Sequence, residues 1–365
     1  MDIQYYTKTL KLRIRDKHSK FLCAQAKEVN LVWNYVNDLS MQILKREQRF
    51  CSAYDLAPYT KGSTKEGLTL HSQSVQAITE EYVTRRKQFK KVKLRWRKSG
   101  GSKRSLGWIP FKSSAIRYKN GQVFYCGKAV GLWDSYGLSK YELGTGSFSE
   151  DARGRWYLNV TVKVNQKTES GGQLIGVDLG CKEAATASDG DKVHGRRYRA
   201  LEQKLALAQR ARNKYRVKSI HAKIKNQRKD DLHKFSSALV KRSGAIFVGN
   251  VSPTGMAKTK NAKSSLDAGW GILKSMLEYK CRWADIVFGE VNEAYTTQTC
   301  SCCGSISSSS PKGRADLGIR SWTCVVCGTH HDRDINAAIN IAKRGESQFL
   351  VGAGQCPPVV GIPVL

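Results

Sequence analysis

Acid is what this sequence is short of. Its 365 residues hold 30 Asp and Glu against 62 Lys and Arg, a formal charge of +32. Solubility needs nothing like that excess, so a polyanion partner is expected, with nucleic acid the default. Long apolar runs are missing too. No stretch of 18 apolar residues exists, which argues against a membrane-spanning helix and a membrane partner. The start, Met1-Asp-Ile-Gln-Tyr-Tyr, lacks the apolar core of a signal peptide. The eleven cysteines are not spaced as a secreted disulfide framework. Four fall in two C-x-x-C pairs near the C-terminus and the rest are scattered, which suits a reducing compartment and a metal site. The expectation is a soluble cytoplasmic protein, long enough for two or three domains.

What is present is organised around Leu174-Ile-Gly-Val-Asp-Leu-Gly180. Apolar residues on either side of one carboxylate read as a central strand buried on both faces. An acid inside such a run is costly unless a cation or a hydrogen-bond network satisfies it. This is how RNase H-like nucleases place their first metal-binding carboxylate, so Asp178 is a candidate ligand. Many α/β proteins carry an Asp near a strand end, and the pattern alone leaves both readings open.

Upstream, Leu10, Leu12 and Ile14 alternate with Lys11, Arg13 and Arg15, a half-buried strand with a basic outer face. The period then changes. Leu22, Ala26, Val29, Val32, Trp33, Val36, Leu39 and Ile43 share one helical face, and helical patterning resumes from Ser72 to Lys91. The tract from Arg85 to Lys98 is either a solvated basic helix end followed by a strand or a track for backbone phosphates. The charge excess favours the track. Its candidate contacts are Arg85, Arg86, Lys90, Lys91, Arg95 and Arg97, with Phe89 and Trp96 available for stacking. Residues 99–105 form a flexible connector. Short strands follow at Ala115 to Tyr118, Val123 to Cys126, Lys140 to Leu143 and Trp156 to Val164, with Asn120-Gly121 a hairpin signal. The expected layout is a small β-barrel from 1–15 and 99–168, with 16–98 a helical insertion and 168–172 a linker.

Past Asp178, a second strand runs from Glu183 to Ser188. Residues 196–242 read as helical, with sixteen Lys and Arg against three acids and an apolar stripe of Leu201, Leu205, Ala208, Ala211 and Tyr215. The sign bias suits a helix pair lying along a duplex, with Arg210, Arg212, Lys214 and Arg228 as candidate contacts. A solvated amphipathic hairpin is the structural alternative. Buried strands are expected at Ala245 to Val251 and Ile286 to Val291, around a helix from Asp267 to Lys280.

Cys300-Ser-Cys-Cys303-Gly and Cys324-Val-Val-Cys327-Gly are separated by 20 residues, a strong zinc-ribbon spacing. Four thiolates from Cys300, Cys303, Cys324 and Cys327 close a tetrahedral site, so the Zn²⁺ is expected to be structural. Cys302 reads as a bystander, and a redox dithiol is the alternative. Next comes His331-Asp-Arg-Asp-Ile-Asn-Ala-Ala338. Its small residues would let a helix pack closely on a sheet and bring Asp334 toward Asp178. Asp332 also reads as a helix cap. Two-metal phosphodiester hydrolysis needs oxygen ligands holding two cations about 3.5–4 Å apart.

These residues together resemble the TnpB family, the OrfB-type RNA-guided nucleases of insertion sequences and relatives of type V CRISPR effectors. The resemblance is carried by Ile175-Gly-Val-Asp-Leu-Gly180, Asn226-Gln-Arg-Lys-Asp230 with His233-Lys234, Asp267-Ala-Gly-Trp270, and Tyr279-Lys280. Thr296-Thr-Gln-Thr-Cys-Ser-Cys-Cys-Gly304, Cys324 to Gly328, and Asp332-Arg-Asp-Ile-Asn-Ala-Ala338 complete it. It implies an α/β plus β-barrel protein: a wedge-like barrel with a recognition insertion, then a RuvC-like nuclease domain (172–295 and 332–345) interrupted by a zinc ribbon (296–331). The tail 346–365 is left without a role. It also implies a transposon-derived guide RNA, a short motif beside a double-stranded DNA target, and Mg²⁺-dependent cleavage, with Asp178 the first catalytic carboxylate and Asp334 the last.

One position departs from the family pattern. A catalytic Glu belongs on the third strand, where this chain reads Ile246-Phe-Val-Gly249-Asn-Val. Glycine offers no ligand. Glu293, at the end of the next strand, is the expected replacement, because adjacent strands lie about 4.8 Å apart. Glu290 is a weaker candidate. The primary expectation is an RNA-guided DNA endonuclease using Asp178, Glu293 and Asp334. The alternative is a nuclease-dead RNA-guided DNA binder, and a transposase acting on transposon ends fits less well.

Overall fold

The computed structural model describes residues 5–63, 65–165, 171–196, 198–251, 262–312 and 315–352. Most of the expected linker at 168–172 and the tail from 353 on lie outside them. The chain forms two compact units, Met1–Asn165 and Gln166–Leu365. No described helix is long and apolar enough to cross a membrane.

In the first unit, β1 (Tyr5–Ile14) leads into α1 (Ser19–Glu47), α2 (Ala53–Thr60) and α3 (Ser72–Gln88). Six strands follow: β2 (Trp108–Phe111), β3 (Ile116–Lys119), β4 (Gln122–Tyr125), β5 (Lys128–Trp133), β6 (Leu143–Glu150) and β7 (Trp156–Asn165). The seven strands make one antiparallel sheet, ordered β2-β6-β7-β1-β5-β4-β3. β1 pairs with β7 from Tyr5↔Asn165 to Arg13↔Tyr157. That register turns Leu10, Leu12 and Ile14 inward, as their alternation requires. The sheet curls into a nearly closed barrel. Phe148 of β6 meets Phe111 of β2 and Tyr125 of β4 with ring centroids 5.2 Å apart in each pair, so opposite ends of the sheet share one aromatic core.

The helices between β1 and β2 are not a separate body. Leu22, Val29, Val36 and Ile43 of α1 and Ile78 and Tyr82 of α3 belong to the same apolar core as the strands. The expected strand from Lys140 to Leu143 is displaced. Asp134 accepts the backbone N–H groups of Tyr136, Gly137 and Leu138, which ties a tight turn, and the strand begins only at Leu143. α2 forms although Pro58 lies inside it. What starts it is a capping box in which Ser52 and Asp55 exchange side-chain and backbone hydrogen bonds.

The second unit holds β8 (Gln173–Asp178), β9 (Glu183–Ala187) and β10 (Lys192–His194), then α4 (Arg199–Arg210), α5 (Lys214–Arg242) and β11 (Ser243–Gly249). After these come α6 (Ala262–Ala268), α7 (Trp270–Ala284), β12 (Val287–Val291), the hairpin β13 (Ser321–Thr323) and β14 (His330–Asp332), and α8 (Arg333–Gly352). The five-stranded sheet is ordered β10-β9-β8-β11-β12. β8 to β10 are antiparallel, while β8, β11 and β12 are parallel. The expected helix from Asp267 is two helices, broken at Gly269, whose φ of +73° suits glycine. Leu201, Leu205 and Ala208 of α4 pack on Val217, Ile220 and Ile224 of α5. Ala211 and Tyr215 are exposed, because the chain turns between the two helices.

α8 lies on β8 because both surfaces are small. A Cβ at Gly176 would collide with the carbonyl oxygen of Ala338. Gly176→Ala should therefore cost about 3 kcal/mol of stability through overpacking. Thermal unfolding checks this, and an unchanged midpoint would refute the close packing.

Candidate active site and metal centres

The parallel strands β8, β11 and β12 end at one edge of the sheet. Val248 pairs with Val177, and Gly249 with Val291, so Asp178, Gly249 and the residues just past Val291 come together there. Glu293 fills the space above Gly249. A Cβ at Gly249 would collide with Glu293 Oε2 and lie 3.4 Å from its Cδ. The missing side chain and the expected replacement thus occupy one place. Glu290 is directed elsewhere: it is exposed and pairs with Lys274 at 2.6 Å.

The Glu293 loop is fastened from α8. Arg344 Nη1 donates to the carbonyls of Asn292 and Ala294, both at 2.7 Å, on either side of Glu293. The hydroxyl of Thr296 donates to the Glu293 carbonyl at 2.8 Å. Burial raises the Glu293 carboxyl above its ordinary pKa, against the pull of Lys274 and the Val251 N–H.

Asp178 is half-buried by area, but protein atoms surround its carboxyl. Loss of solvation, then the charges of Asp334 and Glu293, push its pKa up to about 7, while Arg333 and the Leu179 N–H act the other way. Asp178 feels the charge of both other acids, so each lies near it. Asp334 opens α8 and has Arg320 Nη1 3.3 Å from Oδ2. Asp332 caps α8 by accepting the N–H groups of Asp334 at 2.9 Å and Ile335 at 3.1 Å. Burial alone would raise Asp332, but Lys192 and these amides bring it below the ordinary range. Its structural reading fits.

Clustered, partly desolvated carboxylates are a donor set for hard divalent cations. They are arranged more openly than the cysteines, whose four ligand atoms all lie within 4.8 Å of one another. An acid with a raised folded-state pKa stabilises the metal-free fold at acid pH, and that contribution is lost as the pH passes about 7. A cation requires the ionised form. Affinity of these carboxylates for a divalent cation should therefore climb as the pH rises toward about 7 and level off above it. Calorimetric titration of Mg²⁺ at several pH values checks this, and Asp178→Asn should flatten the profile.

The ribbon cysteines fit zinc. Sγ atoms of Cys300 and Cys327 are 3.6 Å apart and those of Cys303 and Cys324 3.8 Å. A tetrahedron with Zn–S bonds of ~2.3 Å has edges of about 3.8 Å. Knuckle N–H groups of Cys327 and Val326 lower the Cys324 thiol to about 6, toward the thiolate a metal needs, while burial pushes the Cys300 thiol of the same cluster up to about 12. Cys302 is exposed and outside the cluster. Asn336 and Asn340 of α8 donate to the carbonyls of Thr296 and Thr299, and the Ser301 N–H donates to Asn336 Oδ1. The first knuckle is thereby fixed to the helix that carries Asp334. Sequence reasoning missed these partners. The signal was a spacing of four: Asn336, Asn340 and Arg344 share one helical face.

The candidate nucleic-acid contacts divide. Lys90, Lys91, Arg95, Trp96, Arg210, Arg212 and Lys214 are exposed. Arg85 is half-buried and pairs with Glu81 at 2.6 Å. Arg86 is a correction: it is 3% exposed and donates to Ser40 and the Cys51 carbonyl, so it is a core residue. Arg97 and Arg228 are half-buried and also committed internally. Arg97 donates to Asn30 and the Leu106 carbonyl, and Arg228 to the carbonyl of Leu266 and, more distantly, to Asp267. Basic composition cannot separate a cation that faces solvent from one that ties elements together.

Residues 157–260 match the OrfB_IS605 family model, described as "Probable transposase", and residues 270–341 match the model for the Cas12f1-like TNB domain. The chain is 30% identical over 308 residues to a protein of Streptomyces pristinaespiralis named "Putative RNA-guided DNA endonuclease", covering 78% of this chain and 72% of that one. It is 24% identical over 220 residues to the CRISPR-associated endodeoxyribonuclease Cas12f1 of Sulfoacidibacillus thermotolerans, covering 53% and 51%. Among solved structures, a Cas12f1 determined by cryo-EM with sgRNA and target DNA superposes with a TM-score of 0.58 at 13% identity, over 93% of this chain and 99% of that one. That likeness is one of fold.

Proposed function

The chain belongs to the TnpB-like family of RNA-guided DNA endonucleases, and from that premise we propose that it binds a guide RNA and cuts matched double-stranded DNA at Asp178, Glu293 and Asp334. The observation that carries this reading is Glu293 filling the space above Gly249, beside Asp178. A strand order of β10-β9-β8-β11-β12, with three antiparallel and three parallel members sharing β8, suits an RNase H-like (RuvC) nuclease. Bound Mg²⁺ would supply an activated water and charge stabilisation at the leaving oxygen. The protein's own part is to hold three carboxylates in place: Asp178 on the central strand, Asp334 at a capped helix start, and Glu293 on a loop clamped by Arg344. The barrel with its helices serves as wedge and recognition region, and the zinc ribbon shapes the mouth of the site.

A nuclease-dead binder is favoured by Gly249 alone. Glu293 in the vacated space argues against it. The deciding experiment uses protein copurified with its own RNA, offered matched and mismatched duplex DNA in Mg²⁺. Guide-dependent cutting that Asp178→Ala abolishes supports the proposal. Guide-dependent binding without cutting would overturn the catalytic part and leave a programmable DNA binder.

A further inference from the structure

Residues 94–99 have no strand partner, yet they are held in place by side chains of α1. Asn37 donates to the Leu94 carbonyl at 2.8 Å. Trp33 Nε1 donates to the Arg95 carbonyl at 3.3 Å. Asn34 donates to the Arg97 carbonyl at 2.9 Å and accepts the Arg97 N–H at 2.8 Å. Asn30 accepts from Arg97 Nε at 2.6 Å and donates to Ser99 at 3.1 Å. Asn30 and Asn37 are buried. Three asparagines and a tryptophan thus replace a strand neighbour and fix the backbone of an otherwise irregular segment.

The same segment lines a cleft of about 640 Å³. Trp33 is buried at its edge, and Phe89 and Trp96 line it while exposing 56% and 49% of their surface. Seven Lys and Arg side chains line it and no acid does. Lys93 Nζ stands 5.6 Å from the centre of the Trp96 ring. Ordering this segment with buried polar groups confers no apolar burial on its outer face. What it provides is a fixed set of aromatic faces amid cations.

We propose that this cleft is a binding site for single-stranded nucleic acid, in which an unpaired base stacks on Trp96 or Phe89 while Lys93, Arg95 and Lys98 neutralise the flanking phosphates. A duplex presents phosphates but no free base face, so the aromatic contact selects unpaired strand. The inference rests on the nucleic-acid part of the proposed function and not on cleavage. It is tested without Mg²⁺, so failure of the nuclease and failure of the cleft are separate results.

The experiment is anisotropy titration of the full chain with labelled oligo-uridine, labelled oligo-thymidine and a labelled duplex, each over a salt series. Trp96→Ala should weaken single-strand binding roughly 5- to 100-fold while leaving its salt slope unchanged. Trp96→Phe should retain most of the affinity. Lys93→Ala should instead lower the slope by about 0.7. Duplex binding should not respond to Trp96→Ala. Photo-crosslinking of a 5-iodouridine probe, mapped by mass spectrometry, should label Trp96 or Phe89. Tighter oligo-uridine binding assigns the cleft to RNA and tighter oligo-thymidine binding to a DNA strand, and either supports a base site. Trp96→Ala that binds like wild type, or weakens duplex and single strand equally, would overturn the proposal. Since Trp96 is half exposed, its variants should fold, and matching thermal midpoints would verify that.

Discussion

Glu293→Gln will stop DNA cleavage while guide-dependent target binding persists. The substitution keeps size and shape and removes only the charge. The expected fall in rate is roughly a thousandfold or more, the scale seen when one member of a cooperating catalytic set is lost. Binding is expected to survive because Glu293 is an acid and offers a phosphate backbone no attraction. The structure also gives a stricter test. Gly249→Glu in the otherwise unchanged chain should fail as well, because its side chain must displace Glu293. Paired with Glu293→Ala, the same Gly249→Glu should recover part of the activity, since the carboxyl returns to the same space from the neighbouring strand. Undiminished cutting by Glu293→Gln would sink the relocated glutamate outright.

Removal of zinc should have an effect of similar size by another route. The ribbon's buried core among the described residues is two of its cysteines and Trp322, too little to fold unaided. Structural zinc supplies about 10–16 kcal/mol of apparent binding free energy in small modules. Cys324→Ser, or a strong zinc chelator, should therefore unfold the ribbon, release its hold on α8 through Asn336 and Asn340, and abolish cleavage. The barrel unit has its own core and should keep its thermal transition. Zinc content by atomic emission, read beside cutting and unfolding, checks this. Full activity in a zinc-free preparation would refute a structural metal.

How much could be read beforehand depended on the range of the interaction. The helical face from Leu22 to Ile43 and the alternation of Leu10, Leu12 and Ile14 are local periodicities, and both are realised as α1 and β1. The two C-x-x-C pairs are a spacing rule, and their thiols converge. Glu293 was nameable only against the family pattern, which marks Gly249 as a missing Glu and leaves the acid after the next strand as its candidate replacement. Arg86 was misread because tertiary packing against Ser40 and Cys51 decides its role, and no local pattern encodes that. Arg344 escaped for the same reason: its partners, the carbonyls of Asn292 and Ala294, are backbone atoms that any sequence would supply. No local pattern marks Asn30, Asn34 and Asn37 of α1, because the segment they hold lies far along the chain.

Seating the carboxylate on Glu293 also changes what must be inherited together. With a glutamate on β11, two of the three proposed carboxylates would precede α7 in the gene, whereas here only Asp178 does. Here Glu293, its clamp Arg344, Asp334 and all four zinc ligands fall within one continuous stretch, residues 287–352. A recombination event that transferred this stretch alone would carry most of the proposed site as a cassette. The recipient would need to contribute only an aspartate like Asp178, a strand edge left bare as at Gly249, and a strand as small as β8 at Gly176 to accept the incoming helix.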